Sequence, residues 1–175
     1  METFGIALTA EPPTLPPTSP PTAFQDFFQR HSASAYRTAY RVTGSSSDAE
    51  DAMQTVFLRI LNLTPQPDFA SLSESYVRRA ATNASIDILR QKASRAESAL
   101  DGGPDLHGPS SDFLLKETLR RALARLKPED AELFVLRNVE GLSYEELAEQ
   151  FQIERGTVAS RIHRIRETLL KFLQR

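Results

Sequence analysis

Apolar and polar residues never alternate along this chain for long enough to make a strand. Apolar positions recur instead every three or four residues, the repeat of a helix that buries one side. The pattern predicts seven helices, running from Ala23 to Thr43, Asp48 to Leu63, Glu74 to about Arg95, Asp112 to Leu126, Pro128 to Val139, Tyr144 to Gln150 and Arg155 to Leu173. Gly44, Pro65 and Gly141 punctuate them. Four pairs have capping-box spacing: Thr22 with Gln25, Ser47 with Glu50, Ser71 with Glu74, and Ser143 with Glu146. In each, the hydroxyl would accept from a free amide of the first turn while the acid or amide side chain reaches back. The fold class expected is all-α: two small helical domains joined by a flexible linker, the second containing a helix-turn-helix.

Two stretches break the periodicity. Residues 10–22, AEPPTLPPTSPPT, hold six prolines, which lack the amide that a helix ladder needs. At 97–112, ESALDGGPDLHGPSSD, Gly102, Gly103, Pro104, Gly108 and Pro109 exclude a regular element. The expected organisation is a disordered proline-rich leader over 1–22, a first domain over 23–96, a flexible linker over 97–111 and a second domain over 112–175.

Composition narrows the function classes. With no cysteine among 175 residues, disulfide frameworks and thiolate metal sites are excluded. No apolar run reaches the roughly 18 residues of a spanning helix, and METFGIALTAEPP lacks the basic start of a secretory signal, so the expectation is a cytoplasmic protein without stable membrane insertion. The net charge of −2 conceals an asymmetry: residues 155–175 carry six Arg or Lys against Glu167 alone, a local charge of about +5.

Down the last predicted helix, Val158, Ile162, Ile165, Leu169 and Phe172 form one apolar stripe. Ser160, His163, Arg164, Glu167 and Lys171 lie opposite, with Arg161 and Arg166 on the flanks. Cations near a helix C-terminus suit its dipole, which accounts for Lys171 and Arg175 but not for Arg161 and Arg164 in the first half. Upstream, LSYEELAEQF is a short helix with Tyr144, Leu147 and Ala148 inward, followed by the tight segment QIERG. A short helix, a turn and a longer basic helix make a helix-turn-helix, whose second helix enters a major groove about 12 Å wide. Ser160, His163 and Arg164 could then reach base edges, while Thr157, Arg161 and Arg166 are placed for phosphates.

The segment LARLKPEDAELFVLRNVEGLSYEELAEQFQIERGTVASRIHRIRETL resembles region 4 of the extracytoplasmic-function (ECF) sigma factors, specificity subunits of bacterial RNA polymerase. The resemblance implies that this domain reads the minus-35 promoter element. Ala159 stands where the family often has a basic residue.

In SSSDAEDAMQTVFLRILN, Ala49, Ala52, Met53, Val56, Phe57 and Ile60 form an inward face, and Leu58 falls opposite among Asp51, Gln54 and Thr55. Alone, an exposed leucine is unremarkable. Asp-Ala-Glu-Asp-x-x-Gln-x-Val-Phe-Leu-Arg, however, is similar to region 2 of the same family, which implies that Asp51, Gln54 and Leu58 dock on core polymerase. In SYVRRAATNASIDILRQKASR the inward seam is Val77, Ala80, Ala81, Ala84 and Ile88, and Arg79, Asn83 and Arg90 share another side. On physics alone that side is a solvated face. The Ala-x-Asn-x-x-Ile-Asp-x-Leu-Arg pattern resembles the family's minus-10-reading helix, beside a base-capturing loop that would here be Asn62 to Ser73. Asn83 is then the base-edge candidate, and Arg78, Arg79 and Arg90 are phosphate candidates; Asp87 would hold the local helix arrangement. Tyr76 replaces the family's common tryptophan.

The resemblance implies a transcription initiation factor with core RNA polymerase and promoter DNA as partners and an anti-sigma factor as an inhibitor that wedges between the domains or wraps them. It implies no catalysis and no cofactor. Two rivals differ in what they require. A free-standing repressor or activator needs neither the Asp51, Gln54 and Leu58 face nor a second DNA-like helix. An enzyme would have to use His31, His107 or His163, which share no metal-ligand spacing and lack a phosphate-binding glycine loop.

Overall fold

A computed structural model describes residues 22–98 and 111–174. Apart from Thr22, the proline-rich leader lies outside the described residues, as does the linker between 99 and 110. Seven helices follow: α1 (Thr22–Thr43), α2 (Ser46–Leu61), α3 (Glu74–Ser98), α4 (Ser111–Arg125), α5 (Pro128–Asn138), α6 (Tyr144–Phe151) and α7 (Arg155–Leu173). No strand occurs among the described residues. The all-α expectation therefore holds among the described residues, with ends shifted by at most three residues.

Each helix end has a local cause, and the caps differ in part from the sequence expectation. Gly44, at φ 68°, takes the left-handed conformation that closes α1, its amide donating to the Tyr40 carbonyl at 2.8 Å. Ser45, not Ser47, caps α2, its hydroxyl accepting from the Asp48 amide at 3.4 Å. α2 accordingly begins two residues earlier than predicted. Ser73, not Ser71, meets the start of α3, accepting from the Tyr76 amide at 3.2 Å, whereas Ser71 Oγ donates to the Asp68 carbonyl. Crowded serines offer several hydroxyls near one helix start, and spacing alone does not choose among them. Ser143 and Glu146 do form the predicted box on α6: the Glu146 amide donates to Ser143 Oγ at 3.1 Å, and the Ser143 amide to Glu146 Oε2 at 2.7 Å. Pro128 opens α5, where its missing amide costs nothing.

Helices α1 to α3 close around Phe24, Phe27, Phe57 and Phe69 together with small residues of α1 and α3. Phe27 and Phe57 meet edge to face with centroids 5.7 Å apart, the arrangement ring quadrupoles prefer. Buried His31 packs on Phe27 at 4.8 Å. Helices α4 to α7 bury Leu123, Leu133, Leu136, Leu147, Val158, Ile162, Ile165 and Leu169. The α7 stripe is as the periodicity predicts, with Phe172 only partly buried.

The two units also share a core. Val42, Ile86 and Leu89, from α1 and α3, belong to the same buried cluster as the leucines of α4 and α5. On α3, Ile86 lies about 180° around the helix from Val77, so this helix is apolar on two sides. One side seats α1 and α2; the other seats α4 and α5. Arg120 of α4 reinforces the seam, its Nε donating to the Val42 carbonyl at 3.2 Å while its guanidinium lies against Gly44 so closely that a Cβ there would be 1.9 Å from Nη2.

Leu147 is 0% exposed and Leu58 is 57% exposed, so their truncations should separate. Leu147→Ala is expected to cost about 2–5 kcal/mol through lost transfer energy and the cavity left behind, and Leu58→Ala to stay within about 0.5 kcal/mol. Denaturant unfolding of both variants checks this.

Candidate nucleic-acid interface

The helix-turn-helix is built by α6, a turn and α7. Gln152 ends α6 in the left-handed region at φ 53°, which turns the chain so that the Ile153 amide reaches the Ala148 carbonyl at 3.0 Å. Leu147 is buried, Tyr144 and Ala148 are half-buried, and the α7 stripe closes over them. An ion pair between Glu145 and Arg155 bridges the two helices. These contacts fix which side of α7 faces water.

That side carries Thr157, Ser160, His163, Arg164 and Arg166, all exposed. Ser160 Oγ donates to the Thr157 carbonyl at 3.0 Å, and Arg164 Nε lies 3.4 Å from the Ser160 carbonyl. His163 Nε2 is 3.6 Å from Glu167, one helical turn on. Arg166 donates to Asn138 Oδ1 at 3.1 Å while keeping its exposure. Arg161 is different. Only 20% exposed, its guanidinium donates to Asp130 at 2.7 and 3.2 Å and lies 3.6 Å from Glu129, pinning α7 to the first turn of α5. The flank position read from the sequence is correct, but in this fold its charge is directed to a neighbouring helix.

Two further cations stand beside this face. A cleft between α7 and the α4–α5 turn is lined by Arg125, Lys127, Arg161 and Arg164 together with Glu129 and Asp130. Lys127 was detectable as the residue before a helix-initiating proline, next to the free amides of a first turn; helical periodicity, which carried the sequence reading, does not extend into such a turn.

On α2, Asp51, Gln54 and Leu58 are exposed on one side, with Ala52, Val56 and Phe57 buried on the other, as the spacing predicts. On α3, Asp87 lies 3.8 Å from Arg59 of α2 and ties the two helices together. Tyr76, at the start of α3, is exposed, and Asn83 is half-buried. Arg78, Arg79 and Arg90 of α3 are each engaged by an acceptor rather than free in solvent. Arg78 Nε donates to Glu140 Oε2 at 2.8 Å and its Nη2 to the Glu140 carbonyl at 3.2 Å. Arg79 pairs with Glu132 and lies 4.9 Å from the centroid of the Phe151 ring. Arg90 donates to the Leu126 carbonyl at 3.0 Å. All three therefore contact the C-terminal unit.

Comparison with known proteins gives this arrangement its family. The family description "Sigma-70 region 2" matches residues 27–95, and "Sigma-70, region 4" matches residues 116–169. The ECF RNA polymerase sigma factor SigW of Bacillus subtilis is 30% identical over 79% of this chain and 82% of its own length. The chain belongs to the ECF sigma factors.

Another member, the RNA polymerase sigma factor CarQ of Myxococcus xanthus, is 31% identical over 82% of this chain and 85% of its own. The ECF sigma factor SigE of Mycolicibacterium smegmatis is 34% identical over 82% of this chain, which spans 59% of that protein's length. Among solved structures, the sigma factor RpoE in complex with the anti-sigma factor NepR from Bartonella quintana aligns at a TM-score of 0.48 and 18% identity, over 86% of this chain and 96% of that one. As an ECF sigma factor the protein is a promoter-directing transcription initiation factor, not an enzyme. Among the described residues, no His, Asp and Glu cluster is suited to a metal, and no helix is long and apolar enough to cross a membrane.

The helix-turn-helix carries an acid-sensitive start. The backbone amide and hydroxyl of Ser143 hold the Glu146 carboxyl below the usual glutamate value, and hydrogen bonds from a backbone amide and from Arg155 do the same for Glu145. Both folded values are depressed, so their contribution is present above the unfolded value of about 4.3 and fades as pH falls through the folded ones. Ser143→Ala should lower the melting temperature at pH 7, and the gap from wild type should narrow on acidification below about pH 4 without closing, because the bond from the Glu146 amide to the Ser143 hydroxyl does not titrate. Thermal melts followed by circular dichroism across pH measure both.

Proposed function

We propose that the protein joins core RNA polymerase in the cytoplasm through the Asp51, Gln54 and Leu58 face of α2, and places α7 in the major groove of the minus-35 element. Ser160, His163 and Arg164 address base edges; Thr157 and Arg166 address phosphates, with Lys127 alongside them. Arg161 sets the angle of α7 through Asp130 and can still offer its remaining N–H groups to the backbone. Downstream, α3 and the 62–73 loop act on the minus-10 element, with Asn83 at a base edge and Arg78, Arg79 and Arg90 on phosphates. Unstacking a base costs a few kcal/mol, which contacts to the captured base offset, so strand opening needs no nucleotide hydrolysis by this chain. An anti-sigma factor is the expected inhibitor.

The observation that carries this reading is the sorting of α7's side chains. One face is buried without exception at Val158, Ile162, Ile165 and Leu169, while Ser160, His163 and Arg164 stand in solvent on the other. A helix held so firmly on one side presents its opposite side at a fixed angle, which groove recognition requires. Leu58 supplies the matching observation on α2, being a large apolar side chain more than half exposed amid polar neighbours.

Run-off transcription with purified core polymerase on promoter DNA from the protein's own gene neighbourhood tests the whole. Failure both to bind core and to initiate would overturn it. Arg164→Ala should weaken minus-35 binding by about 1–3 kcal/mol and leave core binding intact; equal loss of both would show that the face is misassigned. Leu58→Asp should lower core affinity while the helical melting transition stays cooperative.

A further inference from the structure

Helix α1 has a side that neither core uses. Inward it buries Phe24, Phe27, Ala35, Ala39 and Val42. Outward, Arg30, Arg37 and Arg41 recur at intervals of seven and four residues, which lines them up along the helix, and all three are exposed. Beside them stand Tyr36 and Tyr40, one turn apart, with rings stacked at an interplanar angle of 16° and centroids 6.1 Å apart. Tyr36 is half-buried and Tyr40 is 49% exposed. The inner ring thus backs the outer one, and the outer ring stands open to solvent. Charge on this side has one sign. No aspartate or glutamate lies between Asp26 and Asp48. Of the three arginines only Arg41 has an acid partner among the described residues, Glu140 at 3.4 Å, and its side chain is still 55% exposed. Glu140 also receives Arg78 at 2.8 Å, so the far end of the strip adjoins the start of α3.

We infer that the outward face of α1 is a platform for single-stranded promoter DNA, taking the unpaired stretch that follows the minus-10 element. A base stacks on Tyr40, with Tyr36 behind it, and Arg37 takes backbone phosphate together with Arg30 and Arg41. The inference rests on the assignment of α3 to the minus-10 element given above. A solvated protein surface ordinarily intersperses both signs of charge. Cations interleaved with an open aromatic ring are instead the makeup of single-strand binding surfaces, where rings carry bases and the basic groove follows the backbone. Duplex DNA does not fit this face as well, because its bases are stacked on one another and have no ring face to offer Tyr40. A guanidinium also suits phosphate better than an ammonium would, and every cation of the strip is an arginine. Because every base has a ring face, such a platform adds affinity for opened DNA without reading sequence. It is separate from the Asp51, Gln54 and Leu58 face of α2 and from the recognition face of α7.

The test uses holoenzyme assembled from core polymerase and the full-length chain, on two labelled fork junctions from a promoter mapped by run-off transcription. In one, the non-template strand stops at the end of the minus-10 element; in the other it continues unpaired for about ten nucleotides, within the span of single-strand binding sites. Tyr40→Ala should weaken binding to the long fork by about tenfold, as loss of one stacked base does, and leave the short fork and core binding unchanged. Tyr40→Phe, which keeps the ring, should bind both forks as wild type does. Arg37→Ala should lower the salt dependence on the long fork by about 0.7 in the log–log slope, the value for one phosphate of a single strand, and serves if Tyr40→Ala loses its helical signal. Wild-type affinity for the long fork in Tyr40→Ala would overturn the inference. So would equal losses in Tyr40→Phe and Tyr40→Ala, which would mean a hydroxyl contact, or equal losses on both forks. Weakened core binding by Tyr40→Ala would show that the face meets polymerase protein instead, and overturn it too. Failure of the α3 assignment shows elsewhere: an Asn83→Ala holoenzyme would bind both forks as wild type does. If Asn83→Ala weakens both forks and Tyr40→Ala weakens neither, the minus-10 assignment stands and the α1 platform does not.

Discussion

The arrangement depends on a single helix serving two cores. Val77, Ala81 and Ala84 bury one side of α3 against α1 and α2, and Ile86 and Leu89 bury another against α4 and α5. Burial of a side chain such as isoleucine or leucine is worth about 1.5–3 kcal/mol, so Val42, Ile86 and Leu89, continuous with the leucines of α4 and α5, hold the two halves together. Its arginines are constrained in turn. Once Ile86 is buried, Arg78 and Arg79 on either side of it are carried under α5, and a guanidinium drawn out of water needs an acceptor. Glu132 and Glu140 supply it.

The same rule sorts the cations of α7. Arg161 lies close enough to the buried stripe to be partly desolvated and is matched by Asp130, whereas Arg164, a turn later on the open side, lies 3.4 Å from the Ser160 carbonyl of its own helix. A cation tied to a neighbouring helix and one left on the open face can thus be told apart by their partners, where sequence spacing distinguishes only flank from face. Arg155 and Glu145 add a third kind: a pair on the surface, exposed on both sides, of the sort that contributes little to stability but holds α6 to α7 in register.

Much of this was legible in the sequence. Periodicity located all seven helices and put Leu58 in solvent and Leu147 inside, because a one-sided helix writes its orientation into every third or fourth residue. The region 2 and region 4 resemblance identified the family despite the departures at Tyr76 and Ala159. The second face of α3 was missed for a physical reason. A helix buried on two sides has no single apolar stripe: Ile86 and Leu89 lie outside the seam of Val77, Ala80, Ala81, Ala84 and Ile88, and these two large aliphatics near Arg79 and Arg90 were the available signal. The caps of α2 and α3 slipped by two residues because Ser45 and Ser73 sit beside equally plausible serines, and only backbone geometry chooses.

Charge pairing at this seam also bears on why it is not simply apolar. An interface of leucines alone would hold the halves together more firmly, since replacing buried ion pairs by well-packed hydrophobic residues is often stabilising. Such an interface, once opened, would expose apolar surface that phosphates could not cover. Arginines paired with glutamates behave differently: on opening, the acids return to water and the guanidinium groups keep their need for an oxyanion.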